Sequence, residues 1–139
     1  MVNVRKRCAV VLALVTVGAV VWAMRWHDTA LVDCSFATRA VLRYHYNDTT
    51  RDVEVTNADD VAALRDSLAG RTSAEFTTSG FTENVSVTML GTHKSMTFCP
   101  SLGGAAEFLM ADNGSFLHVS KEQRRTFDRI WKRYGLPFP

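Results

Sequence analysis

The stretch that most restricts this chain is its beginning, where Arg5-Lys6-Arg7 is followed by an unbroken apolar run from Cys8 to Met24 and then by Arg25. A cationic cluster ahead of a continuous apolar segment is the layout of a signal peptide or signal anchor. The run has no polar face, so a helix formed from it has no side on which to meet both a protein core and water. At about 1.5 Å per residue it extends roughly 26 Å, the short end of what crosses a bilayer. Trp22 and Trp26 bracket its outer end, where indole rings favour an interface. These features favour an uncleaved anchor over residues 1–26, a single pass of a bacterial inner membrane through residues 8–24, and a domain in the periplasm or outside the cell. The rival is a signal removed after Val21-Trp22-Ala23, releasing a secreted domain.

Setting that segment aside changes the charge. The whole chain has sixteen basic and fourteen acidic residues and a formal net charge of +2. Arg5, Lys6, Arg7 and Arg25 all precede Asp28, the first acid, so twelve bases face fourteen acids in the remainder, a net of −2. A mixed and slightly acidic surface lacks the one-sided positive field that nucleic-acid binding requires, and excludes nucleic acid as a partner. Residues 27–35 then read as a short linker and 36–139 as one domain, near the usual size for a single core. Hydrophobic residues make up 47% of the chain, enough to build that core.

Residues 36–46 alternate, with Ala40, Leu42, Tyr44 and Tyr46 on one side and Arg39, Val41, Arg43 and His45 on the other. After a turn at Asn47-Asp48-Thr49-Thr50, residues 51–55 alternate again with Val53 and Val55 inward. The two segments predict a hairpin whose exposed face sets arginines against Asp52 and Glu54. Thr56 and Asp59 resemble a capping box ahead of Val61, Leu64 and Leu68 at helical spacing, with Gly70 at the end. Residues 71–80 are polar and suit an edge strand or loop. Residues 84–90 and 95–99 flank Gly91-Thr92-His93-Lys94 as a second hairpin, and 107–110 and 115–119 flank Asp112-Asn113-Gly114 as a third. Ser120 and Gln123 form another capping box, followed by Phe127, Ile130, Trp131 and Tyr134 on one helical stripe. The expected architecture is α+β: an antiparallel meandering sheet of about six strands with two helices on one face, preceded by the N-terminal transmembrane or signal helix.

Chemical signals are sparse. Cys34 and Cys99 are the only cysteines beyond the N-terminal segment, and export would favour joining them as a disulfide. His27, His45, His93 and His118 lack the close spacings of metal sites, and no C-x-x-C occurs. No nucleophile elbow, zinc-protease helix, P-loop or dinucleotide fingerprint is present, so no residue is named as catalytic and no cofactor is implied. Asn47, Asn84 and Asn113 begin glycosylation acceptor patterns, which matter only in a eukaryotic secretory host.

From Ser79 onward, Gly80-Phe81-Thr82-Glu83-Asn84-Val85-Ser86-Val87, Phe98-Cys99-Pro100, Leu117-His118-Val119-Ser120-Lys121-Glu122-Gln123-Arg124 and Ile130-Trp131-Lys132-Arg133-Tyr134-Gly135 resemble small bacterial lipoproteins and membrane-anchored envelope proteins of unassigned function. The resemblance implies an envelope protein and no activity. The loop Ser101-Leu102-Gly103-Gly104-Ala105 lacks the acidic or glycine-cysteine cluster that such sequences often place there. The functional expectation is a membrane-tethered, non-catalytic domain that binds a protein partner, an inhibitor or immunity-type protein, with Arg39, Arg43, Tyr44 and His45 as the candidate partner surface. A small-ligand sensor or enzyme with a pocket between sheet and helix, and a structural envelope subunit, are the alternatives.

Overall fold

The structure, a computed structural model, describes residues 2–27, 31–72, 84–100, 107–110 and 116–137. The chain opens with helix α1 (Val2–His27), on which the described side chains, from Val10 to Ala23, are all exposed. Among the described residues no helix is long and apolar enough to cross a membrane. The expected inner-membrane pass through residues 8–24, the membrane partner and the periplasmic placement built on it are therefore corrected.

After the two-residue strand β1 (Leu31–Val32), strands β2 (Arg39–Tyr46) and β3 (Thr49–Val55) pair as a hairpin in which Tyr46 faces Thr49. Only Asn47 and Asp48 lie between them, at φ 48° and 60°. Positive φ at both central residues is what a type I′ turn demands, and Asn and Asp tolerate that region better than other non-glycine residues. Thr49 and Thr50 accordingly belong to the strand and not to the turn.

Helix α2 (Ala58–Ser67) is capped by Asn57, whose Oδ1 accepts the backbone N–H groups of Asp59 at 2.8 Å and Asp60 at 3.2 Å. The expected cap at Thr56 is displaced by one residue, because an asparagine caps at least as well and here satisfies two amides left without partners. The chain then forms β4 (Gly70–Arg71), which pairs antiparallel with β1.

Strands β5 (Val85–Leu90), β6 (Ser95–Pro100), β7 (Glu107–Met110) and β8 (Phe116–His118) complete a sheet of order β3-β2-β5-β6-β7-β8, antiparallel throughout. Four long strands form its body, and two short ones extend one edge. The expected meander is corrected in one respect: β5 pairs with β2 and not with β3, so the sheet order departs from the chain order at that point. Residues 73–80, 101–106 and 111–115, where an edge strand or loop, a loop and an Asn-Gly turn are expected, lie outside the described residues.

Helix α3 (Lys121–Arg133) starts with the expected capping box: Gln123 N–H donates to Ser120 Oγ at 3.2 Å, and Ser120 N–H to Gln123 Oε1 at 2.7 Å. Phe127, Ile130 and Trp131 are fully buried, with Phe127 and Trp131 edge-to-face at 6.3 Å and 90°. They share one core with Leu64 and Leu68 of α2 and with Ala40, Leu42, Val87, Met89 and Phe98 of the sheet, so both helices cover the same face. Burial of each such large side chain contributes about 1.5–3 kcal/mol. The helices are also joined by charge: Asp60, 3% exposed, accepts Arg133 Nη1 at 2.8 and 2.7 Å and Tyr134 Oη at 3.4 Å.

The turn joining β5 to β6 is tight, with Gly91 N–H bonded to Lys94 O at 2.9 Å. Gly91 is required there by space, since a Cβ would sit 2.6 Å from the Phe36 carbonyl oxygen and 2.8 Å from its ring. The Lys94 ammonium lies 4.8 Å from the centre of the same ring.

Cys34 and Cys99 are not joined, and the expected disulfide is corrected. Cys34 is a fully buried member of the core. On β6, Met96 and Phe98 point into that core, so the two-residue alternation of a strand turns Cys99 to the opposite face. Burial, aided by the Asp33 carboxylate, pushes the Cys34 thiol up to about 11.

Candidate binding cleft

The residues expected to form one recognition face divide between two. Arg39, Arg43 and His45 lie on the side of the sheet away from the helices, whereas Tyr44 packs against the core cluster on the helix side. On the outer side the charges are already matched. Arg43 Nε and Nη2 each donate to Asp52 at 2.8 Å, and Arg39 Nη1 reaches Glu54 at 3.4 Å. The Arg43 hydrogen bonds hold the Asp52 carboxyl below the usual range, and Asp52 raises Arg43 in return. His45 Nδ1 lies 2.8 Å from Thr50 Oγ1. The expected pairing of arginines against acids is present, and it leaves little unmatched charge on this face.

The helix side of the same hairpin differs. Tyr44 and Tyr46 stack with centroids 6.3 Å apart and planes at 23°. Arg51 stands directly across from Tyr44 on β3. Opposite them, α3 ends in a Schellman motif: Gly135 N–H donates to Lys132 O at 3.1 Å and Leu136 N–H to Trp131 O at 2.9 Å. Gly135 adopts φ 71°, a conformation that glycine enters without steric cost. That reversal drives Leu136 back into the core at 3% exposure and carries Pro137 past the tyrosines. Between hairpin and tail lies a cleft of about 360 Å³, lined by both tyrosines, Asn47, Thr49, Arg51 and residues 135–137. Arg51 Nη1 reaches the Gly135 carbonyl at 3.4 Å, and among the described residues it makes no ion pair.

Chemically, the cleft offers a flat aromatic wall, an apolar end at Leu136 and Pro137, and the Arg51 guanidinium, which no acid among the described residues pairs. Tyr and Arg are the side chains that most often dominate binding energy at interfaces, because they combine large contact area with directional donors. Among the described residues no three of His, Cys, Asp and Glu gather in a way that would hold a metal.

No family model matches the chain, and no curated protein or solved structure does either. Of the segments on which the expected likeness to envelope proteins rests, 85–87 and 98–100 are strand, 117–124 runs from β8 into α3, and 130–135 ends α3. Residues 79–83 and 101–105 lie outside the described residues. None of these segments supplies the tyrosine wall.

The sequence reading placed Tyr44 in the site but passed over Tyr46 and Arg51. The signal was in the alternation. Arg51 shares its parity with the inward Val53 and Val55, which sets it across from Tyr44 at the exposed end of the hairpin.

Proposed function

We propose that this domain is a non-catalytic recognition module that engages a partner protein through the cleft walled by Tyr44, Tyr46 and Arg51. The observation that carries the reading is the contrast between the hairpin arginines: Arg39 and Arg43 are paired with acids, while Arg51 stands beside the stacked tyrosines without an acidic partner among the described residues. A segment presenting a bulky apolar side chain next to a carboxylate would use both halves of the cleft. The apolar group displaces water from the ring faces and from Pro137, and the carboxylate gains a charge-assisted hydrogen bond from the guanidinium.

The test is a selection of displayed random peptides on the full chain, with recovered sequences measured against the Tyr46→Ala/Arg51→Glu variant. Recovered peptides should combine an acid with an aromatic or large aliphatic residue and lose affinity for the variant by about tenfold or more, the size of one lost anchor. Selection of no such class, or equal binding to both proteins, removes the proposal.

A further inference from the structure

Strand β3 ends the six-stranded row, and among the described residues it pairs on one side only, with β2. Which of its backbone groups face the open side follows from one hydrogen bond. His45 N–H donates to Asn84 O at 2.6 Å, so the backbone of His45 points toward β5 and away from β3. Antiparallel ladders alternate, so His45–Thr50, Arg43–Asp52 and Val41–Glu54 are the pairs that exchange no backbone hydrogen bonds. The N–H and C=O groups of Thr50, Asp52 and Glu54 therefore point outward from the edge of the sheet. Residues Thr49 to Asp52, and Glu54, are exposed. The outward-facing residues also have their side chains tied back to β2. Thr50 Oγ1 lies 2.8 Å from His45 Nδ1, Asp52 is held by Arg43 at 2.8 Å, and Glu54 is reached by Arg39 at 3.4 Å. Charges that ordinarily guard an edge are here drawn away from it and neutralised.

We propose, resting on the cleft reading above, that the partner segment binds as an added strand antiparallel to β3, with a carboxylate side chain across from Arg51 and an aromatic or large aliphatic one across from Thr49. Main-chain hydrogen bonds to Thr50, Asp52 and Glu54 supply affinity, and the side chains at alternate positions supply specificity. Residues two apart on a strand share a face, so this spacing sets the acid and the apolar group on the side of Tyr44, Tyr46 and Arg51. A second copy of β3 does not fit this edge. Two-fold antiparallel pairing keeps every residue on its own face and sets residues of equal parity opposite one another. Its longest registers place Arg51 against Arg51, Asp52 against Asp52, or Asp52 against Glu54, and like charges directly opposed are destabilising. The edge therefore selects a foreign segment that carries an acid where β3 carries its arginine.

The probe is the end-capped peptide Lys-Val-Thr-Glu-Thr-Phe, whose antiparallel pairing sets Glu across from Arg51 and Phe across from Thr49, titrated into the isotope-labelled full chain and followed by its amide resonances. Two N-methylated forms read the mode of binding. Methylation of both threonines removes N–H groups that face β3 and should weaken binding about tenfold or more, whereas methylation of Val and Glu removes N–H groups that face water and should change it by less than about twofold. The Tyr46→Ala/Arg51→Glu chain should bind the unmodified peptide about tenfold or more weakly. Circular dichroism checks its fold, and Arg51→Gln takes its place, with a smaller expected loss, should it not fold. Equal weakening by the two methylation patterns overturns the added strand and leaves the cleft to be decided by the peptide selection. Methylation-sensitive binding that the variant retains overturns the placement at Arg51. Absence of saturable binding, or a dimer of the chain that the peptide disperses in sedimentation, overturns the proposal.

Discussion

Arg133→Met tests the charged junction between the two core helices. The Asp60 side chain is 4% exposed while that of Arg133 is 50% exposed, so removing one partner is not equivalent to removing the other. Deleting the guanidinium removes contacts of 2.8 and 2.7 Å and leaves a carboxylate in the interior. An unpaired buried charge costs about 3–5 kcal/mol. Two features reduce that cost. Tyr134 Oη stays at 3.4 Å, and Asp60 sits in the first turn of α2, where the helix end favours an anion by about 0.3–1 kcal/mol. The expected loss is about 2–3 kcal/mol, a fall in melting temperature on the order of 10 °C. Asp60→Asn leaves the arginine half in water and should cost about 1 kcal/mol. The double variant should lose less than Arg133→Met alone, because the methionine then faces a neutral amide. Urea unfolding of the full chain with an unchanged m-value gives all three numbers. Equal losses from the two single substitutions, or a double variant equal to their sum within about 0.5 kcal/mol, refute the reasoning.

Gly91→Ala forces a methyl group to within 2.6 Å of the Phe36 carbonyl and should cost about 1–3 kcal/mol in the same assay, while Gly18→Ala, where nothing lies within 4 Å, should cost nothing measurable. The Cys34 thiol titrates at about 11 in the folded chain against an ordinary 9.0, so its contribution to stability is intact below pH 9 and is lost as pH rises from about 9 to 11. Melting temperatures should fall more steeply across that window for the native sequence than for Cys34→Ala, and parallel slopes would sink the argument. Asp52 is lowered by Arg43, so its contribution is present above the ordinary carboxylate range and lost as pH falls through the lowered value. With both side chains about half exposed, Asp52→Asn should cost under about 1 kcal/mol, less at high salt, measured by urea unfolding at two ionic strengths.

What could be foreseen from the residues divides along the range of the forces involved. Helix α3 was legible to its ends, because the Ser120/Gln123 box and the apolar spacing of Phe127, Ile130 and Trp131 are local and agree with each other. The β2–β3 hairpin was legible for the same reason, apart from the two threonines assigned to its turn. The cap of α2 was misplaced by one residue because Thr56 and Asn57 are both competent caps and only the built helix chooses between them. The place of β5 beside β2 is a long-range decision that no local pattern encodes. The proposed disulfide failed because compartment and spacing say nothing of which face a strand cysteine points to. The cleft was half visible: Tyr44 was picked out, but grouping it with Arg39 and Arg43 joined residues on opposite faces.

The strand order β3-β2-β5-β6 also sets the timetable of folding. Each outer pair in that row, β2 with β3 and β5 with β6, is a hairpin closed by a turn of two to four residues, and such units form in about 1–10 μs. The central pairing joins Arg39 to Leu90 and Tyr44 to Val85, across some forty to fifty residues of intervening chain, so a large loop must close before any of its hydrogen bonds form. The two hairpins are therefore early units and their zippering the late, rate-setting event. Substitutions along that seam, at Leu42 or Val87, should slow refolding, whereas those at the Asn47-Asp48 turn should act mainly on the early step.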